Sequence, residues 1–493
     1  TGGQALPDSQ AKPDLQQAFN AIKYRELLDR LEISIIRKSE VFTPFFNERC
    51  DSEFFQKFYD NLYKNILSKD YNFLGDIAFI TDGEHGNAKT SETGYSKYYG
   101  ARNVLSGILN DNNVEYITKE HHEKLKKSSL KPRDVLISCV GANIGYAAIV
   151  PDDIGIANIV RNVVLIRSAN DNFINEYIHI YLCSNYGKNL YIRMNTGNAQ
   201  PLVSLDYIKT IPVFRASINF QVEIRRITTL SLNTLEQSKS TYTQAENLLL
   251  NALGMADFSP STENVNIKSF KDSFLATGRL DAEYYQPKYE EVMTQIKQLP
   301  CDRLSEFIEN YSTGYPYKSD DYLEYSGIPL IRINNIKKGF LDITNTAYLP
   351  VEQIALSEND VAVENDILLS MSGTIGNACV IPKGVTALIN QRIMRFTPKN
   401  YNPLALMLIL NSIVGEYQLE RIGTGGVQTN ISSNDINKII IPILPDETQT
   451  KIADLVQQSF QLKAQSEQLL SVAKRAVEIA IEENETAAIN YIK

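Results

Sequence analysis

Arg49-Cys50-Asp51-Ser52-Glu53-Phe54-Phe55-Gln56 and Arg279-Leu280-Asp281-Ala282-Glu283-Tyr284-Tyr285-Gln286 are one pattern, R-x-D-x-E-aromatic-aromatic-Q, written twice at a shift of 230 residues. The pairing decides the fold, because further landmarks follow it in the same order in both halves. Asn103-Val104-Leu105-Ser106-Gly107 faces Asn335-Ile336-Lys337-Lys338-Gly339, and Asp134-Val135-Leu136-Ile137-Ser138 faces Asp366-Ile367-Leu368-Leu369-Ser370, both at a shift of 232. Each Asp-apolar-Ser run enters a glycine turn, Gly141-Ala142-Asn143-Ile144-Gly145 or Gly373-Thr374-Ile375-Gly376. Thr196-Gly197-Asn198-Ala199-Gln200 then faces Thr424-Gly425-Gly426-Val427-Gln428, and Ile211-Pro212 faces Ile441-Pro442. The chain is an internal duplication. Its repeating unit is far too long for one turn of a solenoid, so each copy holds a whole domain plus a helix.

Within each copy the periodicity changes once. Short β-branched and aromatic runs, such as Val135 to Ser138, Val163 to Ile166, Ile367 to Ser370 and Ile439 to Ile441, are separated by Gly, Asn and Pro turns and predict a mixed α/β domain. After Pro212 and Pro445 the pattern turns helical. Ile224, Thr228, Ser231, Leu235, Ser238, Tyr242, Ala245, Leu249 and Ala252 recur at alternating steps of four and three, and a shift of 228 gives Ile452, Val456, Ser459, Lys463, Ser466, Leu470, Ala473, Val477 and Ala480. Asp446 with Gln449 has the spacing of a capping box, and Gly254 suits a helix C-terminus. Seams this rich in Ser, Thr and Ala bury little area, so neither helix is stable alone. The expected fold class is therefore α/β (mixed α+β): two similar domains separated by two long antiparallel helices that form a coiled coil, with pseudo-two-fold symmetry. The expected boundaries are an extension at 1–20, a first recognition domain at 21–217 and a spacer helix at 218–254. They continue with a connector at 255–300, a second domain at 301–443, a second spacer helix at 444–485 and a tail at 486–493.

Composition narrows the function classes. The 493 residues are 43% hydrophobic and 22% charged, which fits a globular chain rather than a disordered or collagen-like one. The formal charge of -9 argues against bulk electrostatic coating of nucleic acid, so any DNA contact is local or shared with a partner. Five scattered cysteines form no C-x-x-C pair and read as reduced core residues of a cytosolic protein. No apolar run reaches the length of a membrane span and the start shows no signal peptide; the missing initiator Met suggests a processed or truncated end.

These landmarks carry a resemblance. The R-x-D-x-E-[FY]-[FY]-Q strings, the D-[VI]-L-[IL]-S strands with their glycine turns, and the two helix starts from Ile-Pro to Gln221 or Gln449 make the chain similar to the specificity subunits of type I restriction-modification systems, from about Ala21 to Glu483. The resemblance implies two target-recognition domains that each read one half of a bipartite double-stranded DNA sequence, and helices that fix the spacing. It implies docking of two methyltransferase subunits and of restriction subunits. S-adenosylmethionine, ATP and Mg belong to those partners, and this chain binds no cofactor, no metal and no membrane. Two other readings compete: a helical adaptor holding two protein-binding domains, and the recognition half of a fused type IIG-like methyltransferase-nuclease.

The expected chain is non-catalytic. It lacks an N-P-P-Y-type tetrapeptide, a phosphate loop and a dinucleotide fingerprint, and His85, His121, His122 and His179 lack metal-ligand spacing and are assigned to surface or loop positions. DNA-binding signals are local. Asn185 to Arg226 carries a net +4 and Val380 to Ile440 a net +3, at equivalent places in both copies. Base reading needs Arg for guanine and Asn or Gln for adenine. The candidate contacts in the first copy are Lys89, Lys97, Arg102, Arg193, Asn195, Asn198 and Gln200. In the second they are Tyr315, Lys318, Arg332, Asn334, Lys337, Arg421, Thr424, Gln428, Thr429 and Asn430. Lys89 and Lys318 suit phosphates. Residues that choose different half-sites should differ between copies, which favours Asn198, Thr429 and Asn430 as readers and leaves Gln200 and Gln428 to brace their own loops.

Overall fold

The computed structural model describes residues 41, 49, 51–86, 88–196, 201–263, 265–323, 326–344, 346–423 and 430–493. They divide into two units, Thr1–Leu235 with Ala464–Lys493, and Glu236–Lys463. The division falls inside both long helices, so each unit owns one half of each.

The first unit contains β1 (Tyr71–Phe73), β2 (Ala78–Asp82), β3 (Ser96–Tyr99), β4 (Gly107–Ile108) and β5 (Glu115–Ile117). It continues with β6 (Val135–Ser138), β7 (Ala147–Ile149), β8 (Ala157–Ile159), β9 (Val163–Ser168) and β10 (Pro212–Phe214). They form a five-stranded sheet in the order β2-β9-β6-β7-β4, a three-stranded sheet β5-β3-β8 and the ribbon β1-β10. The second unit contains β11 (Cys301–Arg303), β12 (Ile308–Ser312), β13 (Ile328–Ile331), β14 (Ala347–Leu349) and β15 (Val361–Ala362). Its remaining strands are β16 (Ile367–Ser370), β17 (Ala378–Val380), β18 (Ala387–Ile389), β19 (Ile393–Pro398) and β20 (Ile440–Pro442). Their sheets run β12-β19-β16-β17 and β14-β13-β18-β15, with the ribbon β11-β20. The equivalent strands pair alike, and the mixed α/β expectation with two sheet-bearing domains holds.

The central strands explain why the Asp-apolar-Ser runs show no alternation. In β6, Val135 and Ile137 join the main core of the first unit while Leu136 joins a second core on the opposite face. In β16, Ile367 and Leu369 face one core and Leu368 the other. A strand covered on both faces is apolar throughout. The leading Asp closes each run: Asp134, 1% exposed, takes two 2.6 Å bonds from Arg167, and Asp366 takes bonds from Arg395 at 2.8 Å and Thr397 at 2.6 Å. A buried carboxylate is tolerable only with such partners.

The helices that build each main core are α1 (Lys57–Leu67), α2 (Asn175–Cys183) and α3 (Asn185–Arg193) in the first unit. Then come the first long helix α4 (Ile218–Ala252), and α5 (Pro287–Ile296), α6 (Pro403–Asn411) and α7 (Ile413–Ile422) in the second unit, followed by the second long helix α8 (Asp446–Glu482). At 1.5 Å per residue α4 is about 50 Å long and α8 about 55 Å. Within the first unit Ser231 and Ser466 exchange hydroxyl-to-carbonyl bonds of 2.8 and 2.7 Å, and within the second Ser238 and Ser459 exchange bonds of 2.8 and 2.8 Å. The pairs advance by seven on one helix as they retreat by seven on the other, which is the antiparallel packing that the seam predicts. Serine allows the close approach and satisfies its own hydroxyl in doing so. Lys463 is the seam position that departs from core packing; its ammonium lies over the Phe340 ring.

Two local expectations are refined. Gly254 takes φ +65° and Met255 N–H returns to Leu250 O at 2.8 Å, a left-handed C-terminal stop. Gln449 is not a capping-box residue. Its amide donates to Leu444 O at 2.9 Å and its carbonyl accepts from Asn402 N–H at 2.8 Å, which ties the start of α8 to the loop before α6. Gln221 does the same for α4, bonding Asn172 O and Ala216 O at 2.9 Å and accepting from Ile174 N–H at 2.9 Å.

Candidate nucleic-acid interface

The R-x-D-x-E-aromatic-aromatic-Q string folds into a clamp around its first aromatic residue. Arg49 chelates Asp51 and lies 4.5 Å from the Phe54 ring centroid, and Arg193 stands at 4.4 Å from the same ring. In the second unit Arg279 chelates Asp281 and lies 4.2 Å from the Tyr284 ring, with Arg421 at 4.4 Å. Two guanidiniums on one ring are held by their carboxylates and by cation-π attraction. Arg193 is 2% exposed and donates to Phe54 O at 2.8 Å, so burial lowers its pKa to about 10. Arg421 donates to Tyr284 O at 3.1 Å. Both were candidates for DNA contact. Arg193 is engaged inside the protein, whereas the Arg421 side chain is 20% exposed and lines a cavity with Arg279 and Tyr284.

The local basic excess survives its internal ion pairs, because Asp206, Glu223 and Asp435 are already counted in it. Lys209 pairs with Asp206 at 3.0 Å, Arg226 with Glu223 at 2.9 Å, Lys438 with Asp435 at 3.1 Å, and Arg395 with the buried Asp366. The recurrence of these bases in both copies reflects a shared frame.

The other candidates separate into three groups. Lys89 and Lys318 are exposed on loops. Lys97 bonds Asp111 at 2.7 Å, Arg102 bonds Glu115 at 2.8 Å, and Asn195 accepts from Arg49 through its backbone carbonyl and from Leu202 N–H through its side chain. The Lys97 and Arg102 pairs are on the surface, and Asn195 holds its own loop. Asn198, Gln200, Thr424, Gln428 and Thr429 lie outside the described residues. Arg332, Asn334 and Lys337 come together on the rim of a cavity of about 670 Å³ that also receives Asn377, Asn390, Gln391 and Arg392. Arg392 donates to Asn430 Oδ1 at 2.6 Å, which brings that candidate to the edge of the same site. Tyr315 lies next to it in the sheet, since its backbone bridges Asn390 in parallel, and its ring lies 4.9 Å from Tyr317. Basic and amide groups around one cavity match the donors and acceptors of base edges.

In the first unit a cavity of about 570 Å³ is lined by Asp82, His85, Arg161, Asn162, Leu202 and Ser204 among others; it shares with the second unit's cavity the turn positions Arg161 and Asn162, which correspond to Gln391 and Arg392, and otherwise lies against different segments. His85 bonds Asp82 there at 2.6 Å. Sequence reasoning missed Arg161, Asn162, Gln391 and Arg392. A signal existed: each pair is a polar interruption between two apolar strands, and it differs between the copies.

Among the described residues no group of three or more His, Cys, Asp and Glu is placed to hold a metal ion. Burial pushes the Cys139 and Cys183 thiols up to about 11, away from nucleophilic reactivity. His179 is not a surface residue. It is fully buried, neither ring nitrogen has a well-aligned partner, and burial together with Lys474 lowers its pKa to about 3. No helix among the described residues is long and apolar enough to cross a membrane.

A profile of the type I restriction modification DNA specificity domain matches residues 302–472. That stretch of the chain is similar to the specificity domain of type I restriction-modification systems. The matched region holds most of the second sheet domain and over half of α8. Among curated members, the chain is 26% identical over 177 residues to the type I restriction enzyme EcoAI specificity subunit of Escherichia coli, covering 34% of this chain and 29% of that protein. It is 27% identical over 210 residues to the EcoBI specificity subunit of the same organism, covering 39% and 44%. The matches thus span less than half the length of these relatives. A crystal structure of a type I restriction-modification S subunit from M. genitalium aligns over 84% of this chain and 95% of its own, at 13% identity and a TM-score of 0.40.

Proposed function

We propose that this chain is the non-catalytic DNA specificity subunit of a type I restriction-modification complex. Its two sheet-bearing domains, about 21–217 and 301–443, each read one half of a bipartite double-stranded target. The long helices set the spacing and dock two methyltransferase subunits, which bring S-adenosylmethionine, while restriction subunits bring ATP and Mg. The complex works in the cytoplasm. The observation that carries this reading is the contrast between a repeated frame and unlike cavity-lining turns. The aromatic clamp, the paired Asp and the glutamine tether recur in both units, whereas the equivalent turns that line a cavity in each unit differ, Arg161-Asn162 in one and Gln391-Arg392 in the other, as two readers of unlike half-sites require. The match of residues 302–472 to a DNA specificity domain favours DNA over protein as the ligand. The negative charge of -9 fits a protein that shares backbone contacts with its partners, so its isolated binding is weak. Methylome sequencing of cells expressing the chain with its cognate methyltransferase tests the proposal: a split motif is expected, and methylation without one refutes it.

A further inference from the structure

The strand pairs β8-β9 and β18-β19 are joined by short turns, Val160-Arg161-Asn162 and Asn390-Gln391-Arg392. Their backbones are pinned alike. Val160 N–H donates to Tyr99 O at 2.9 Å and Asn390 N–H to Ile331 O at 2.8 Å. The carbonyl of Asn162 accepts from Cys139 at 3.1 Å, and that of Arg392 from Met371 at 3.0 Å, the residue after the Asp-apolar-Ser strand in each case. Parallel bridges Glu84 to Val160 and Tyr315 to Asn390 complete the match. One scaffold thus presents different side chains at the mouths of the two cavities. Arg161 is exposed and its guanidinium makes no hydrogen bond or ion pair with any described residue. Gln391 is exposed with its amide free in the same sense, while its backbone N–H is held by Tyr315 O at 3.1 Å. Arg392, beside it, takes φ +69°, a left-handed conformation that costs about 1 kcal/mol in a non-glycine residue, and is fastened to Asn430.

We propose that this turn is the base-reading element of each unit, with Arg161 contacting a guanine of one half-site and Gln391 an adenine of the other. The proposal rests on the DNA-reading function above and adds which residues choose the bases. Arg presents a bidentate donor fork to guanine O6 and N7, and Gln pairs its donor and acceptor with adenine N6 and N7. A rigid backbone with exposed, unengaged tips is what such contacts need.

The test uses the full chain expressed with its cognate methyltransferase. Methylomes are compared for wild type, Arg161→Gln, Arg161→Lys and Gln391→Ala, and each purified variant is melted to verify its fold. The Arg161 variants should lower the preference for guanine at one position of one half by about tenfold to a hundredfold, and Gln391→Ala should do so for adenine in the other half. Since neither side chain has a described partner, folding is expected to be unchanged. Folded variants that keep the wild-type motif, or that alter both halves, overturn this proposal and leave the function above standing. A wild type that yields no split motif overturns both.

Discussion

Arg193 has the residue type of a DNA contact and the surroundings of a core strut. Its guanidinium rests on Phe54 and faces Asp60 at 3.9 Å, so truncation removes a desolvated cation-π contact and a bond to Phe54 O together. Arg193→Ala should destabilise the first unit by about 3 kcal/mol in urea titration while leaving the methylated motif unaltered; a motif change would restore it as a reader. His179 makes a second prediction at this scale. The folded protein holds it neutral down to about pH 3, whereas the unfolded chain takes up a proton near the ordinary 6.5. The folded pKa is the lower one, so the contribution is present above pH 6.5 and stability falls as pH drops below that value, by about 1.4 kcal/mol per unit until the folded group titrates. The equivalent position in the second unit is Met407, also fully buried. His179→Met should therefore flatten the acid slope, with a gain near 2 kcal/mol at pH 5 that thermal melts at pH 7 and pH 5 would resolve.

At the scale of elements, the repeated landmarks are joints. Gly107 and Gly339 lie where each sheet domain meets a long helix. A Cβ at Gly107 would stand 2.3 Å from Leu470, and one at Gly339 2.8 Å from Tyr242, with φ +95° and +92° adding a second reason for glycine. Asn103 and Asn335 fold the preceding turn by accepting from Gly100 N–H at 3.1 Å and Arg332 N–H at 2.9 Å. The glutamine tethers make the other joint. Replacing Gln449 with Leu keeps the volume but strands Asn402 N–H and Leu444 O in a buried place, which should cost the second unit about 2–3 kcal/mol. A drop in melting temperature with native circular dichroism at 20 °C would show it, and an unchanged melt would mean that water substitutes for the amide.

At the scale of the whole molecule, two units with a common frame and unlike cavity-lining turns predict modular behaviour. Exchanging residues 301–443 for the equivalent domain of a homologue should change one half of the methylated motif and leave the other half intact. Changes in both halves would refute independent reading. Joining at these positions is structurally reasonable. Cys301 opens β11, and Ile443, just after β20, is fastened to Pro300 O at 2.8 Å, so the ends of the exchanged segment meet at a ribbon.

The duplication, the mixed α/β class and the antiparallel seam were legible in the sequence because they rest on local pattern: strings repeated in order, apolar runs between turns, and a four-three rhythm that survives a shift of 228. Tertiary structure alone decided the fate of individual polar residues. Whether an arginine reads DNA or braces a ring depends on what stands within about 4 Å of it, and residues distant in the chain supply those neighbours, Phe54 for Arg193 and Tyr284 for Arg421. The same long-range assembly left Arg161 and Gln391 without described partners at the mouths of two cavities, a placement that no spacing in the sequence encodes.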